Sequence, residues 1–428
     1  MIRILQADGK TEYGALDGLA GRGGAPGADV EQAVRRIIAD VRAEGDAAVV
    51  RYTQQFDGVA GAGIRVLGRG EMKEAFESLP DGLGAALLHA ADNIRKYHAK
   101  QVAEGYEERR ADGVVIGQMV TGLARVGLYV PGGTAAYPST VLMNAVPAKL
   151  AGVGELVMVT PPRDSLAPIL GAAYIAGVDK AILAGGAQAV AALACGTETF
   201  PRVDKIVGPG NVYVATAKRL LYGAVDIEMI AGPSEILVLA DGGERRAGFI
   251  AADLLSQAEH DPDAASMLFT TSGALAAAVA EEVERQLKDL TRAEVARKSI
   301  DANGIIIVCR SDDEMIALAN HAAPEHLELL VEDPLGWLPR IRSAGSVFLG
   351  PYTPEPVGDY YAGTNHVLPT SGTARYASPL GVYDFVKRMS YTMYTKEALA
   401  AARDDIMAIG EAEGLTAHVA AVRRRFEE

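Results

Sequence analysis

The chain has 428 residues, 49% of them apolar and 22% charged, with a net charge of −14. That is core material for two to four ordinary globular domains. The acidic balance argues against a polyanionic partner such as nucleic acid, because phosphate binding needs clustered Lys and Arg.

The opening MIRILQADGK lacks a basic-then-apolar targeting pattern, and no stretch is apolar enough to span a bilayer, so a cytoplasmic protein is expected. Residues 21–29 form a Gly-rich loop whose Asp29 should cap the helix that follows. Helical patterning then continues to about residue 108, through LGAALLHAADNIRKYHAKQ. His89 and His98 on that stretch have no neighbouring donor set and read as structural or solvent-facing. Two short basic runs, ERR (108–110) and the C-terminal VRRRFEE, read as solvated helix faces. From about 125, apolar runs such as ARVGLYV and ELVMVTPP end in Gly or Pro and lead into helices, the pattern of parallel βαβ units. A second alternating block begins at SEILVLAD (234–241). After about 380 the pattern is helical again. The fold class is therefore α/β, with two similar open-sheet domains and helical N- and C-terminal extensions. The divisions fall at 1–110, 111–233, 234–380 and 381–428. Cys195 and Cys309, far apart in apolar surroundings, read as buried reduced thiols.

Five of the seven histidines lie beyond residue 250, four of them in polar strings. SQAEHD (256–261) sets Gln257 and His260 three apart near a helix end, so one face offers an amide oxygen and an imidazole nitrogen to a single ion. The plainer alternative is a surface amide and a capping histidine. APEHLELL places Glu325 and His326 after Pro324, which should open a helix or turn. The histidine suits a general base, and the glutamate suits activation of a water. The alternative is a first-turn acid beside a half-buried histidine. GDYYAGTNHVLPT (358–370) reads as a functional loop, with Asp359 suited to a metal or an ammonium and His366 to an anion or hydroxyl. EGLTAH supplies Glu413 and His418 in a segment expected to be helical after a Gly turn, or else a salt-bridging tail. Mixed oxygen and nitrogen donors with almost no cysteine equip a chain for a hard or borderline cation plus proton transfer, which is the layout of an enzyme.

Four glycine strings, YVPGGTAAYPS (129–139), AGGAQA (184–189), VGPGN (207–211) and AGPSE (231–235), follow apolar runs and expose backbone N–H groups suited to phosphate. None spells the dinucleotide fingerprint G-x-G-x-x-G, so spacing alone is compatible with any phosphate ligand or with none.

Nine strings in one order, among them VPGGTAAYPSTVLMNAVPAK, GGAQAVAALACGT, VGPGNVYVA, DLLSQAEHDP, GDYYAGTNHVLPT and EGLTAH, resemble the histidinol dehydrogenase family, which closes histidine biosynthesis. The likeness implies two incomplete Rossmann-like domains and an intertwined homodimer. It also implies a zinc-dependent oxidation of L-histidinol to L-histidine through the aldehyde, with two NAD+ reduced. By motif, Gln257, His260, Asp359 and His418 would ligate one Zn2+ per subunit, and Glu325 and His326 would be the acid/base pair. Substrate contacts would come from Ser234, Gln257, His260, His326, Asp359, His366, Glu413 and His418. Tyr129, Gln188 and Asn211 match NAD positions. The C-terminal segment, with Glu413 and His418, would complete the partner's site. Alternatives are a related zinc and NAD dehydrogenase for another small alcohol, or a non-catalytic metal-binding protein.

Overall fold

The computed structural model describes residues 2–23, 27–58, 63–132, 137–163, 165–230, 232–241 and 246–427. Parts of three glycine strings, at 24–26, 133–136 and 231, lie outside the described residues. Among the described residues, fifteen strands numbered in chain order form three sheets.

The first sheet has the order β2 (Val66–Gly68), β7 (Lys180–Leu183), β6 (Glu155–Thr160), β5 (Arg125–Tyr129), β8 (Lys205–Val207), β9 (Asp226–Ile227). The second has β1 (Arg3–Gln6), β12 (Ile305–Val308), β11 (Ala265–Thr270), β10 (Glu235–Ala240), β13 (His326–Leu330), β14 (Ser346–Leu349). The topology is the same in both. From a central strand, β5 or β10, the chain adds two strands on one side and then crosses to add two on the other. Neighbours are parallel, except that β2 runs antiparallel to β7. Helices make the crossovers, since a parallel strand requires a return to the starting edge.

Alternation along the strands sets the layers. In β10, Ile236, Val238 and Ala240 pack with Ile250, Leu254 and Val279 on one face, while Leu237 and Leu239 meet Leu16, Met315 and Leu318 on the other. The first sheet is likewise covered twice, Leu128 and Met158 packing with Val141 and Leu142, and Val157 and Ile206 with Val190 and Leu193. Each such side chain contributes about 1.5–3 kcal/mol on burial, so the strand ends present their loops from rigid supports.

The third sheet, β15 (Val386–Met393), β4 (Val115–Gly122) and β3 (Tyr106–Arg109), is antiparallel and corrects the reading of both termini. Residues after 380, expected to be helical, first form the largely exposed strand β15, because β-branched and aromatic residues there meet an open edge of β4. Only then come the helices Lys396–Ala412 and Thr416–Arg423. At the other end, the helix expected to reach 108 stops at His98, and Glu108 and Arg109 stand on the exposed strand β3 instead of a helix face. Asp29 lies in the first turn of Ala28–Glu44, with Gly27 at the cap position. Cys195 and Cys309 are free, the first half-buried and the second buried. No helix among the described residues is long and apolar enough to cross a membrane.

Candidate active site

In an open α/β sheet, a crevice forms where the strand order reverses. In the first sheet that point lies between β5 and β8, and it gathers Tyr129, Gln188 and Asn211 at the C-terminal strand ends. The Tyr129 hydroxyl accepts from the Gly186 N–H at 3.0 Å. Asn211 caps Val212–Leu221, its Oδ1 accepting from the N–H groups of Tyr213 (3.1 Å) and Val214 (3.2 Å). Gly208, at φ +113°, lets the β8 loop lie against the Tyr129 carbonyl, which any Cβ would strike. Gln188 is buried with neither amide atom hydrogen-bonded, a cost that a further polar partner would remove.

The second sheet uses its opposite edge. Ser234 precedes β10 and Glu325 precedes β13, so both sit at N-terminal strand ends, and His326 begins β13 opposite Ile236. The expected helix after Pro324 is not formed. Ala323 takes φ +47° to end the helix Asp312–Ala322, proline disfavours a helical predecessor, and the buried run His326–Leu330 joins the sheet. The His326 Nδ1–H donates to the Glu235 carbonyl at 3.0 Å, which leaves Nε2 bare. Burial lowers the His326 pKa, with Asp359 opposing. The result is a neutral imidazole with a buried, unpartnered lone pair. Glu325 Oε2 accepts from the Glu235 N–H at 3.0 Å and its carboxyl also bonds the Ser234 side chain, yet desolvation pushes its pKa up to about 8.

Asp359 belongs to a short helix, Glu355–Tyr360, opened by prolines, and not to an irregular loop. One turn earlier on that helix, buried Glu355 faces Asp359, with carboxyl oxygens of the two within 4.8 Å. Desolvation first, then the Asp359 charge, push Glu355 up to about 10. His326, Glu355 and Asp359 each present one potential ligand atom within 4.8 Å of the others, and His326 Nε2 lies 3.8 Å from Glu355 Oε1. Below them Glu328 Oε1 accepts the Glu355 N–H at 2.8 Å, while its carboxyl pairs with Asp253, which burial pushes up to about 6.

Gln257 occupies the last turn of Ala247–Ala258, buried and with Oε1 unpartnered. The helix ends before His260, whose N–H instead closes a turn on the Gln257 carbonyl at 3.2 Å. His260 keeps solvent access, but dense surrounding protein lowers its pKa, with Asp359 opposing and His326 adding to the shift. Desolvation also lowers His366, which lies within the fields of Asp359, His326 and His260. Ser234, His260, Glu325, His326, Asp359 and His366 therefore converge. Glu413 and His418 do not join them within one chain: both are exposed on the C-terminal helix pair, which packs on itself where Gly410 meets Val419.

Four buried acids around the site escaped the sequence reading: Asp253, Glu235, Glu328 and Glu355. Glu235 and Glu328 carried a signal, since each interrupts an otherwise apolar strand. The donor set fits a borderline cation. An orphaned Gln257 oxygen, a bare imidazole nitrogen and two carboxyls held together are polar groups whose burial a bound cation would offset.

A profile of histidinol dehydrogenase matches residues 22–426. The histidinol dehydrogenase of Streptococcus mutans is 52% identical over 401 residues, 94% of this chain and 93% of that protein. The one from Clostridium acetobutylicum is 50% identical, covering 100% of this chain and 99% of its own. The chain belongs to the histidinol dehydrogenase family. That family comprises NAD-dependent oxidoreductases performing the final step of histidine biosynthesis. The crystal structure of the family member from Elizabethkingia anophelis superimposes with a TM-score of 0.92 at 37% identity, over 100% of this chain and 98% of that one.

Proposed function

We propose that this protein oxidises L-histidinol to L-histidine in two NAD+-linked steps, through the aldehyde. The observation that carries the reading is His326, neutral, buried and bare at Nε2, beside the buried carboxyl of Glu325. Nε2 takes the hydroxyl proton as the carbinol carbon gives up its first hydride. Water then adds to the aldehyde, Glu325 taking its proton and passing one to the carbonyl oxygen, and the hydrate gives the second hydride to NAD+ and a hydroxyl proton to Nε2, leaving the carboxylic acid.

Gln257, His260, Asp359 and His418 of the partner subunit would hold zinc, which when bound supplies a grip on the imidazole and amine of the substrate. Ser234, His366 and Glu413 of the partner subunit would line the remaining pocket. Tyr129, Gln188 and Asn211 would hold NAD+, which takes up the hydrides. On this reading 111–233 serves the cofactor and 234–380 the metal and proton chemistry. Region 1–110 lends a strand to each of the two larger sheets, 381–428 crosses to the partner in a homodimer, and the enzyme works in the cytoplasm.

The test supplies histidinol, and separately other amino alcohols, with NAD+ and zinc while NADH absorbance is followed. NADH from another alcohol but not from histidinol, or zinc binding without NADH, overturns the proposal. Mixing Glu325→Gln, impaired in the second oxidation, with His418→Ala while histidine formation is followed tests the shared site. Recovered activity is expected, and none means each subunit is self-sufficient.

A further inference from the structure

We propose that His98 is a positioning residue for the loop that carries His366, tying that loop to the first half of the molecule. The inference rests on the reading of His366 as a substrate contact. His98 ends the helix Asp81–His98, next to the first sheet, and is fully buried. Residues 361–367 come from the far side, beyond β14, yet they are fastened to that helix and its neighbour. The Asn93 Nδ2 donates to the Tyr361 carbonyl at 2.8 Å. Gly363, at φ +92°, rests on the Asn93 carbonyl, where a Cβ would collide. Buried Asn365 donates from Nδ2 to the Met143 carbonyl at 2.8 Å and accepts the Val367 N–H on Oδ1 at 2.9 Å.

Those backbone partners fix the orientation of every polar atom around the imidazole. The Val382 N–H, 3.0 Å away, must meet an oxygen, so Gln101 presents Oε1, and His98 Nδ1 at 2.8 Å from it is the donor. The Met143 carbonyl must meet an N–H, so Asn365 presents Nδ2, whose second hydrogen points to His98 Nε2 at 3.5 Å. Only the neutral Nδ1–H tautomer satisfies both ends. Burial favours the same form by lowering the pKa. His366 sits between Asn365 and Val367, so its backbone is held on both sides by a network that His98 completes.

The test compares wild type with His98→Ala and His98→Gln in steady-state kinetics, varying histidinol and NAD+ separately. His98→Ala is expected to raise the KM for histidinol on the order of tenfold, the effect of leaving one buried donor unmet, with the KM for NAD+ unchanged. His98→Gln keeps an acceptor for Asn365 and should recover part of the loss. Nitrogen-15 NMR of labelled histidines in the wild-type protein should show His98 protonated at Nδ1 and bare at Nε2. Should His98→Ala not fold, the isosteric Asn365→Asp reverses the polarity of the contact and should convert His98 to imidazolium in the same spectrum. A histidinol KM within about twofold of wild type, equal rises in both KMs, or protonated Nε2 in the wild type overturns the proposal. Wild type that ignores histidinol refutes the functional reading instead, and the tautomer measurement still judges the network.

Discussion

Glu325→Gln separates the two halves of the proposed reaction. Gln keeps the size of the side chain and an acceptor for the Glu235 N–H now at 3.0 Å from Oε2, so the local structure should survive. What is lost is the ability to take a proton. With the Glu325 pKa at about 8, roughly a tenth of the molecules carry the carboxylate at pH 7 and roughly nine-tenths at pH 9. Oxidation of the aldehyde should therefore accelerate about tenfold over that interval in the wild type, while alcohol oxidation, driven by His326, should not follow it. Removing a general base costs on the order of 10²–10⁴ in rate. Single-turnover NADH formation, started either from histidinol or from its aldehyde, measures each step. The variant should lose about that factor from the aldehyde and under about tenfold from the alcohol. Equal losses in the two halves, or an alkaline acceleration that persists without the carboxylate, would refute the assignment.

His326→Asn should slow both hydride steps by about 10²–10⁴. Because burial lowers the His326 pKa, the wild-type acid limb should fall below pH 6.5, and the limb should vanish in the variant's pH–rate profile. Glu355→Gln should weaken zinc binding about ten- to a hundredfold by loosening Asp359, as loss of an outer-shell carboxylate does; competition with a chelator measures this, and unchanged affinity removes Glu355 from the metal's support. Stability should also depend on pH. Burial raises Asp253 to about 6, Glu235 to about 7 and Glu325 to about 8, so between their unfolded values and these the native state holds protons that the unfolded state has released. The metal-free protein should thus lose stability as pH rises from about 6.5 through 8; below that, the lowered values of His98, His260, His326 and His366 oppose the loss. Thermal melts in chelator should show this decline, less steep in Glu235→Gln; a flat or rising profile contradicts it.

The βαβ texture was legible because apolar runs survive as local patterns, and the polar strings marked His260, His326, Asp359 and His366, whose charges act on one another in the fold. The identical strand order of the two sheets was not, since pairing order leaves no local trace. Strand β15 was misread because its pattern has no buried face to mark it, its partner β4 lying some 270 residues earlier. A helix or turn was expected after Pro324 because a proline followed by acid and apolar residues imitates a helix start; Glu325 sits in a bend, and burial on both sides of the sheet selects a strand from His326. His98 read as structural or solvent-facing, and it is buried and hydrogen-bonded; the partner that could not be read is Asn365, 267 positions away.

The repeated topology also bears on the proposed division of work between the two halves. Each sheet has a reversal point, but their C-terminal edges differ in charge and openness. Beside β5 and β8 the loop is shaped by glycine, and Gln188 waits buried and unpartnered. At the equivalent edge of the second sheet, Asp241 Oδ2 already takes the Glu332 N–H at 2.6 Å, and Arg246 binds the Leu330 carbonyl. Among the described residues, an acid thus occupies the backbone donor that a phosphate would need, and it also engages Arg246 at 3.4 Å. The second sheet is left to place its chemistry at the N-terminal ends of β10 and β13, where Glu235 offers its N–H to Glu325 and its carbonyl to His326. One residue's backbone thereby holds both the Glu325 carboxyl and the tautomer of His326, so under the proposed mechanism shifting β10 against β13 should disable both oxidations together.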